Sequence, residues 1–213
     1  MSGAGFLVDL HRCVGCGSCV LACRIENGRG DGQAWRRVLQ LNLRRHSGGP
    51  TYALSVACHH CDEPACLRGC PSGAYAKRAD GIVVHHDERC LGCRYCEMTC
   101  PFGAPTYDTE RGVVSKCHLC APRIEQGLSP ACVAACPTEA LKYLAPAATP
   151  NTVTPTAETA RHDATDATPT AIARTNVPGF VDPAGCRPNI RFAPPKGARR
   201  AALFAALEEA MRR

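Results

Sequence analysis

The chain has 213 residues, 45% hydrophobic but only 5% aromatic, with a formal net charge of +6 and seventeen cysteines. It is long enough for one or two modest domains and too poor in aromatics for a large conventional core. The mild basicity, with no RNA or DNA motif, excludes nucleic acid as a partner. No stretch of about 20 apolar residues is present, which excludes a membrane span of its own. MSGAGFLVDLHRC has no apolar segment of the signal-peptide kind, and the arginine pairs at 36–37, 44–45 and 199–200 lie too far in for an export signal.

Residues 6–9 (FLVD) predict a short strand leading into a first cysteine run, Cys13, Cys16, Cys19 and Cys23, spaced C-x2-C-x2-C-x3-C. Its small residues Gly15, Gly17 and Ser18 let backbone N–H groups point inward at an anion. Trp35, the only tryptophan, reads as a packing residue. Leu39, Leu41 and Leu43 alternate with polar residues, HSGGP (46–50) marks a turn, and Tyr52, Leu54 and Val56 alternate on the return, a hairpin pattern. The second run, Cys58, Cys61, Cys66 and Cys70, widens the middle gap to four residues. A hairpin over 74–86, turning at 78–81, then leads to the third run, Cys90, Cys93, Cys96 and Cys100. A strand near 104–107, a turn at 109–112 and a strand at 113–115 precede the fourth run. That run is Cys117, Cys120, Cys132 and Cys136, with an eleven-residue loop between its second and third members. TEALKYL predicts a closing strand. Alanine, threonine and proline dominate 145–178, which cannot bury a core. Residues 179–195 read as an irregular tail, and 198–213 as an amphipathic docking or packing helix.

Cys70, Cys100 and Cys136 each precede proline and are each followed four residues later by alanine; Cys23 is followed by Arg24 instead. This internal repeat is specific. Three thiolates on one tight loop hold three corners of a [4Fe–4S] cube, and the fourth, one helical turn on, ligates a different cube. Each run is then half of a two-cluster site. The second and third runs, separated by one hairpin, pair by Cys58, Cys61 and Cys66 with Cys100, and Cys90, Cys93 and Cys96 with Cys70. The first and fourth pair around that insert by Cys13, Cys16 and Cys19 with Cys136, and Cys117, Cys120 and Cys132 with Cys23. Sixteen cysteines are used, and four [4Fe–4S] clusters follow. Cys186, far along the chain from every run, reads as a small buried or free thiol. Zinc ribbons want two pairs of ligands, and closely spaced cysteines bridge each other poorly, so neither zinc nor a disulfide framework fits as well. Holding much of its structure through clusters, the chain is expected to unfold without them. His59, His60 and His118 read as surface-loop residues, with N–H donation to sulfur as the alternative. Lys116, Arg94 and Lys142 read as solvated charges.

The fold class is α+β: two bacterial-ferredoxin-like units, one inserted in the other. Residues 1–50 with 112–145 form the first unit and 51–111 the inserted second. Residues 146–197 form a linker and extended tail, and 198–213 the helix. No nucleophile with a base and no phosphate-binding loop is visible, so no catalytic residue is assigned.

FLVDLHRCVGCGSCVLAC, CHHCDEPACLRGCPSGA, DGIVV, CLGCRYCEMTCPFGAPTY, KCHLC and CVAACPTEAL together resemble the iron–sulfur electron-transfer subunits of the dimethyl sulfoxide reductase family of molybdoenzymes, most of all those with four clusters. The resemblance spans about residues 5–145 and extends to RPNIRF in the tail. It implies a non-catalytic wire between two partners, a molybdopterin or tungstopterin catalytic subunit and a membrane anchor subunit that exchanges electrons with quinone. It also implies membrane association through those partners, on the periplasmic side by co-export or on the cytoplasmic side. An iron–sulfur subunit of a formate dehydrogenase or hydrogenase complex, or a soluble polyferredoxin, is the alternative.

Overall fold

The computed structural model describes residues 3–30, 34–41, 51–146 and 185–193. The expected turn at 46–50, the linker from 147 to 184 and the helix at 198–213 lie outside the described residues. In chain order the elements are β1 (Gly5–Asp9), α1 (Ser18–Glu26), β2 (Arg37–Leu41), β3 (Tyr52–Val56), α2 (Ala65–Arg68), β4 (Tyr75–Lys77) and β5 (Val83–His85). They continue with α3 (Tyr95–Thr99), β6 (Thr106–Asp108), β7 (Val113–Ser115), α4 (Ala121–Glu125), α5 (Ala131–Ala134), β8 (Leu141–Leu144) and β9 (Ile190–Ala193). Among the described residues no helix is long and apolar enough to cross a membrane.

β1 is the centre of a three-stranded sheet, antiparallel to β8 (Phe6 opposite Tyr143) and parallel to β9 (Phe6 opposite Ile190). Phe6, Val8, Ile190 and Phe192 are buried and form the heart of the largest core with Leu54, Leu119 and Leu141. The tail was expected to be irregular; its Ile190 and Phe192 instead alternate into this core as a strand that covers an otherwise open edge of β1. A side chain at Gly5 would collide with the Asn189 carbonyl, so the close approach of β9 requires glycine there.

Three hairpins follow, β2–β3, β4–β5 and β6–β7. The first departs from simple alternation. β3 is buried on both faces, while Leu39 of β2 is exposed and Val38 packs toward the core. The helices carry the cysteines in pairs: α1 packs on α5, and α2 on α3. α1 is nine residues long, whereas α2, α3 and α5 have four or five. The difference follows from residue 24. Proline ends the other three cysteine helices, but Arg24 lets α1 run on through Cys23. The eleven-residue loop of the fourth run holds α4, with Pro122 in its first turn.

Candidate metal centres

All four runs bend in the same way. The residue two after the first cysteine is left-handed in each: Gly15 (φ 72°), His60 (φ 44°), Gly92 (φ 66°) and Leu119 (φ 60°). This turn aims its own backbone N–H at the preceding sulfur, with Gly92 N at 3.4 Å from Cys90 Sγ and Leu119 N at 3.3 Å from Cys117 Sγ. The Cys-Pro-x-x-Ala repeat has a matching cause. Its third residue after cysteine is again left-handed (Gly73, Gly103, Glu139). The chain then returns so that Ala74 N donates to Cys70 Sγ at 3.4 Å and Ala104 N to Cys100 Sγ at 3.5 Å. Repeated N–H groups converging on sulfur make nests for negative charge.

Three cavities gather the cysteines across the chain. Cys13, Cys16, Cys19 and Cys136 line one, below Val38 and Ser55 of the first hairpin. Cys23, Cys117, Cys120 and Cys132 line a second, with Trp35 and Arg36. Cys58, Cys61, Cys66 and Cys100 line a third, with Lys116. Cys70, Cys90 and Cys96 pack together around Tyr75 and Val83. Cys93 is exposed on the same loop as Cys90 and Cys96. Neighbouring groups share packing: Cys19, Cys132 and Cys136 in the main core, Cys58, Cys100 and Cys117 in another cluster, and Cys66 with Cys96 in a third. Cys186 is distant in sequence but not in space, since it lines the cavity of Cys58, Cys61, Cys66 and Cys100. The reason is a strap. Asp62 N donates to Arg187 O at 2.8 Å, Glu63 N to Cys186 O at 3.1 Å, and Asn189 N to His59 O at 2.9 Å.

No two of the seventeen cysteines are bonded to each other. Burial pushes the Cys66 thiol up to about 12 and Cys120 up to about 11, and it raises Cys19, Cys23, Cys61 and Cys117 as well. A buried thiolate needs a positive centre beside it, which iron supplies. The Ser18 hydroxyl, 3.4 Å from Cys16 Sγ, instead lowers that exposed thiol. The surroundings fit an anionic iron–sulfur group. Sulfurs already receive N–H donors, and among the described residues the fully buried Arg36 keeps Nε and Nη2 without acceptors beside the Cys23–Cys117–Cys120–Cys132 cavity.

Several polar residues are not the solvated groups expected from sequence. His59 and His60 are buried at 2% and 0% exposure, and Lys116 at 3%. His60 Nδ1 accepts from Val83 N at 3.1 Å, and Lys116 Nζ donates to the Val83 and Cys117 carbonyls. Arg94 is exposed and pairs with Glu97 at 2.6 Å. Trp35 packs as expected, half-buried, its Nε1 donating to Ser115 Oγ at 3.0 Å. Arg36, Ser55 and Asn189 were not singled out by sequence reasoning. Their one signal is position: Arg36 immediately precedes β2 beside Arg37, and in an extended chain neighbours face opposite ways.

The 4Fe-4S dicluster domain family matches residues 51–145, the second, third and fourth runs together. The probable anaerobic dimethyl sulfoxide reductase chain YnfG of Escherichia coli K12 is 44% identical over 147 residues, covering 65% of this chain and 72% of its own. A second anaerobic dimethyl sulfoxide reductase chain of the same organism is 42% identical over 147 residues with the same coverage, 65% and 72%. A tetrathionate reductase subunit of Salmonella typhimurium is 42% identical over 132 residues, covering 61% of this chain and 53% of its own. With a repeated cysteine loop shaped for sulfur-bound charge, and relatives of this closeness over most of their length, the chain belongs to the iron–sulfur subunits of the dimethyl sulfoxide reductase family.

Proposed function

We propose that this chain is an electron-transfer subunit that holds four [4Fe–4S] clusters in a row and catalyses no reaction of its own. Cys13, Cys16, Cys19 and Cys136 hold the first; Cys23, Cys117, Cys120 and Cys132 the second; Cys58, Cys61, Cys66 and Cys100 the third; Cys70, Cys90, Cys93 and Cys96 the fourth. Each cluster supplies one-electron chemistry when bound. The carrying observation is the exchange of the fourth cysteine. Each of the three cavities takes three cysteines from one run and one from another. The ferredoxin-like units are then runs one with four, and runs two with three, the second pair inserted in the first.

The shared packing supports the order first, second, third, fourth. Exposure supports the two ends as the places where electrons enter and leave. Cys16 and Cys93 are the exposed cysteines, one at each end, while Cys23, Cys117, Cys120 and Cys132 are all buried. Exposed apolar side chains stand beside the same two loops, Val14, Leu21 and Ile25 at one and Leu91, Tyr95 and Met98 at the other. One patch serves a molybdenum- or tungsten-pterin catalytic subunit and the other a quinone-exchanging membrane anchor, which places the chain at a membrane through its partners.

The test is anaerobic iron and sulfide analysis with low-temperature EPR through a redox titration of the purified complex. About sixteen irons and sixteen sulfides, with interacting [4Fe–4S] signals, are expected for four cubes. Zinc in place of iron, or half that iron, sinks the four-cluster reading.

A further inference from the structure

Arg36 is 2% exposed, and among the described residues it has no carboxylate partner. Its guanidinium stacks over the Phe6 ring at 4.3 Å, and Nη1 donates to Ser55 Oγ at 3.0 Å. Among the described residues Nε and Nη2 meet no acceptor. A guanidinium cannot shed its proton to escape burial, so an uncompensated one is costly. The charge that compensates it must come from what the adjacent cavity holds, and that cavity is lined by Cys23, Cys117, Cys120 and Cys132. On its other side Ser55 forms a relay. Its oxygen accepts from Arg36 and lies 3.4 Å from Cys19 Sγ, so its own hydrogen is free to donate to that sulfur. Cys19 belongs to the neighbouring cavity.

We propose that Arg36 is the counter-cation shared by the first two clusters of the row. Its two unpartnered nitrogens, Nε and Nη2, donate to sulfur at the Cys23–Cys117–Cys120–Cys132 site, and its Ser55 relay polarises Cys19. This rests on the four-cluster reading. Reduction adds one electron and no proton, and therefore one negative charge, to a cluster. A fixed cation beside it favours the reduced form and raises its potential. Arg36 thus makes the second site a place where an electron rests more easily than the same thiolates alone would allow, and it ties the first site to the same charge. A lysine would keep the charge but lose the planar fork that serves both sides at once.

The experiment compares Arg36→Gln, Arg36→Lys and Ser55→Ala with the parent complex, by iron content and by EPR-monitored redox titration. In Arg36→Gln, at the parent midpoint of the affected cluster, the reduced-to-oxidised ratio is expected to fall at least tenfold, a downward shift of about 59 mV for a one-electron couple. Arg36→Lys is expected to fall between Gln and parent. Ser55→Ala is expected to move one signal only, and a different one from the signal most displaced in Arg36→Gln. Ratios within twofold of the parent in Arg36→Gln, at full iron content, overturn the proposal. Should Arg36→Gln fail to assemble, Arg36→Lys and Ser55→Ala decide, and unchanged ratios in both overturn it. A parent complex with far fewer than about sixteen irons would sink the four-cluster reading instead, so the two failures are told apart.

Discussion

Replacing Asn189 by alanine tests whether the strap over the second run guards the cluster beneath it. Asn189 is fully buried. Its Nδ2 donates to the His60 carbonyl at 2.7 Å and to Asp62 Oδ1 at 2.9 Å. Alanine removes both bonds and leaves the backbone bond to His59 in place. Stranding a buried carbonyl costs about 1–3 kcal/mol, and a bond to a carboxylate is worth about 1.5–3 kcal/mol. Asp62 keeps Lys77 at 3.4 Å, so the second loss sits near the lower end of its range. The combined weakening is then about 2.5–4.5 kcal/mol. With about 1.4 kcal/mol for each factor of ten, opening of the strap becomes roughly 60- to 1,600-fold more frequent. The assay is anaerobic incubation of the complex with a ferrous chelator, following the cluster absorbance for rate and EPR for identity. The expected result is one cluster bleaching faster by that factor while the other three keep the parent rate. A rate within threefold of the parent would refute the reasoning. So would equal acceleration of all four clusters, because the strap would then be a global prop.

Cys70→Ala is expected to abolish or convert the EPR signal of the cluster held by Cys90, Cys93 and Cys96. Damage confined to the cluster of Cys58, Cys61 and Cys66 would refute the exchange of fourth ligands. Cys186→Ser is expected to leave the iron content within experimental error of the parent; a loss of about four irons would make Cys186 a ligand. Chelation of all iron without denaturant is expected to collapse the far-ultraviolet dichroism, because cysteines make up two of the five residues in one buried cluster and two of the four in another. An apo chain with native dichroism would contradict this.

The short-range features of the site were legible in the sequence. C-x2-C spacing and Cys-Pro-x-x-Ala are local instructions, and the left-handed turns with their N–H···S bonds carry them out within five residues. The hairpins β4–β5 and β6–β7 were legible for the same reason, being closed by turns of four or five residues. What was not legible depends on distant partners. Ile190 and Phe192 alternate over only four residues, and nothing local says that β1 needs a parallel neighbour. His59 and His60 sit in a polar-looking loop, and their burial comes from the 185–193 strap folding over it. Arg36 and Arg37 are chemically alike, yet one is buried under Phe6 and the other reaches outward to the Phe102 carbonyl at 2.6 Å. Only the placement of the sheet separates them.

The four left-handed loop positions show how one backbone shape is reached by two routes. The first and third runs, which carry the exposed Cys16 and Cys93, use Gly15 and Gly92. Glycine accepts the turn without strain and lets it pack closely, since a Cβ would meet Ala53 and Gln40 at position 15 and the Gly112 carbonyl at position 92. The second and fourth runs place His60 and Leu119 in the same conformation, at about 1–2 kcal/mol each. Both side chains are fully buried. Burial of a leucine side chain returns about 1.5–3 kcal/mol, which offsets the strain at Leu119. The His60 ring accepts from Val83, and its carbonyl receives Asn189. Glycine at 119 would relax the backbone and open a hole in the main core; leucine at 92 would collide with the Gly112 carbonyl. The choice of residue at this one position therefore follows the burial of each loop: filled and strained where the side chain at the turn is buried, bare and relaxed in the two runs that carry an exposed cysteine.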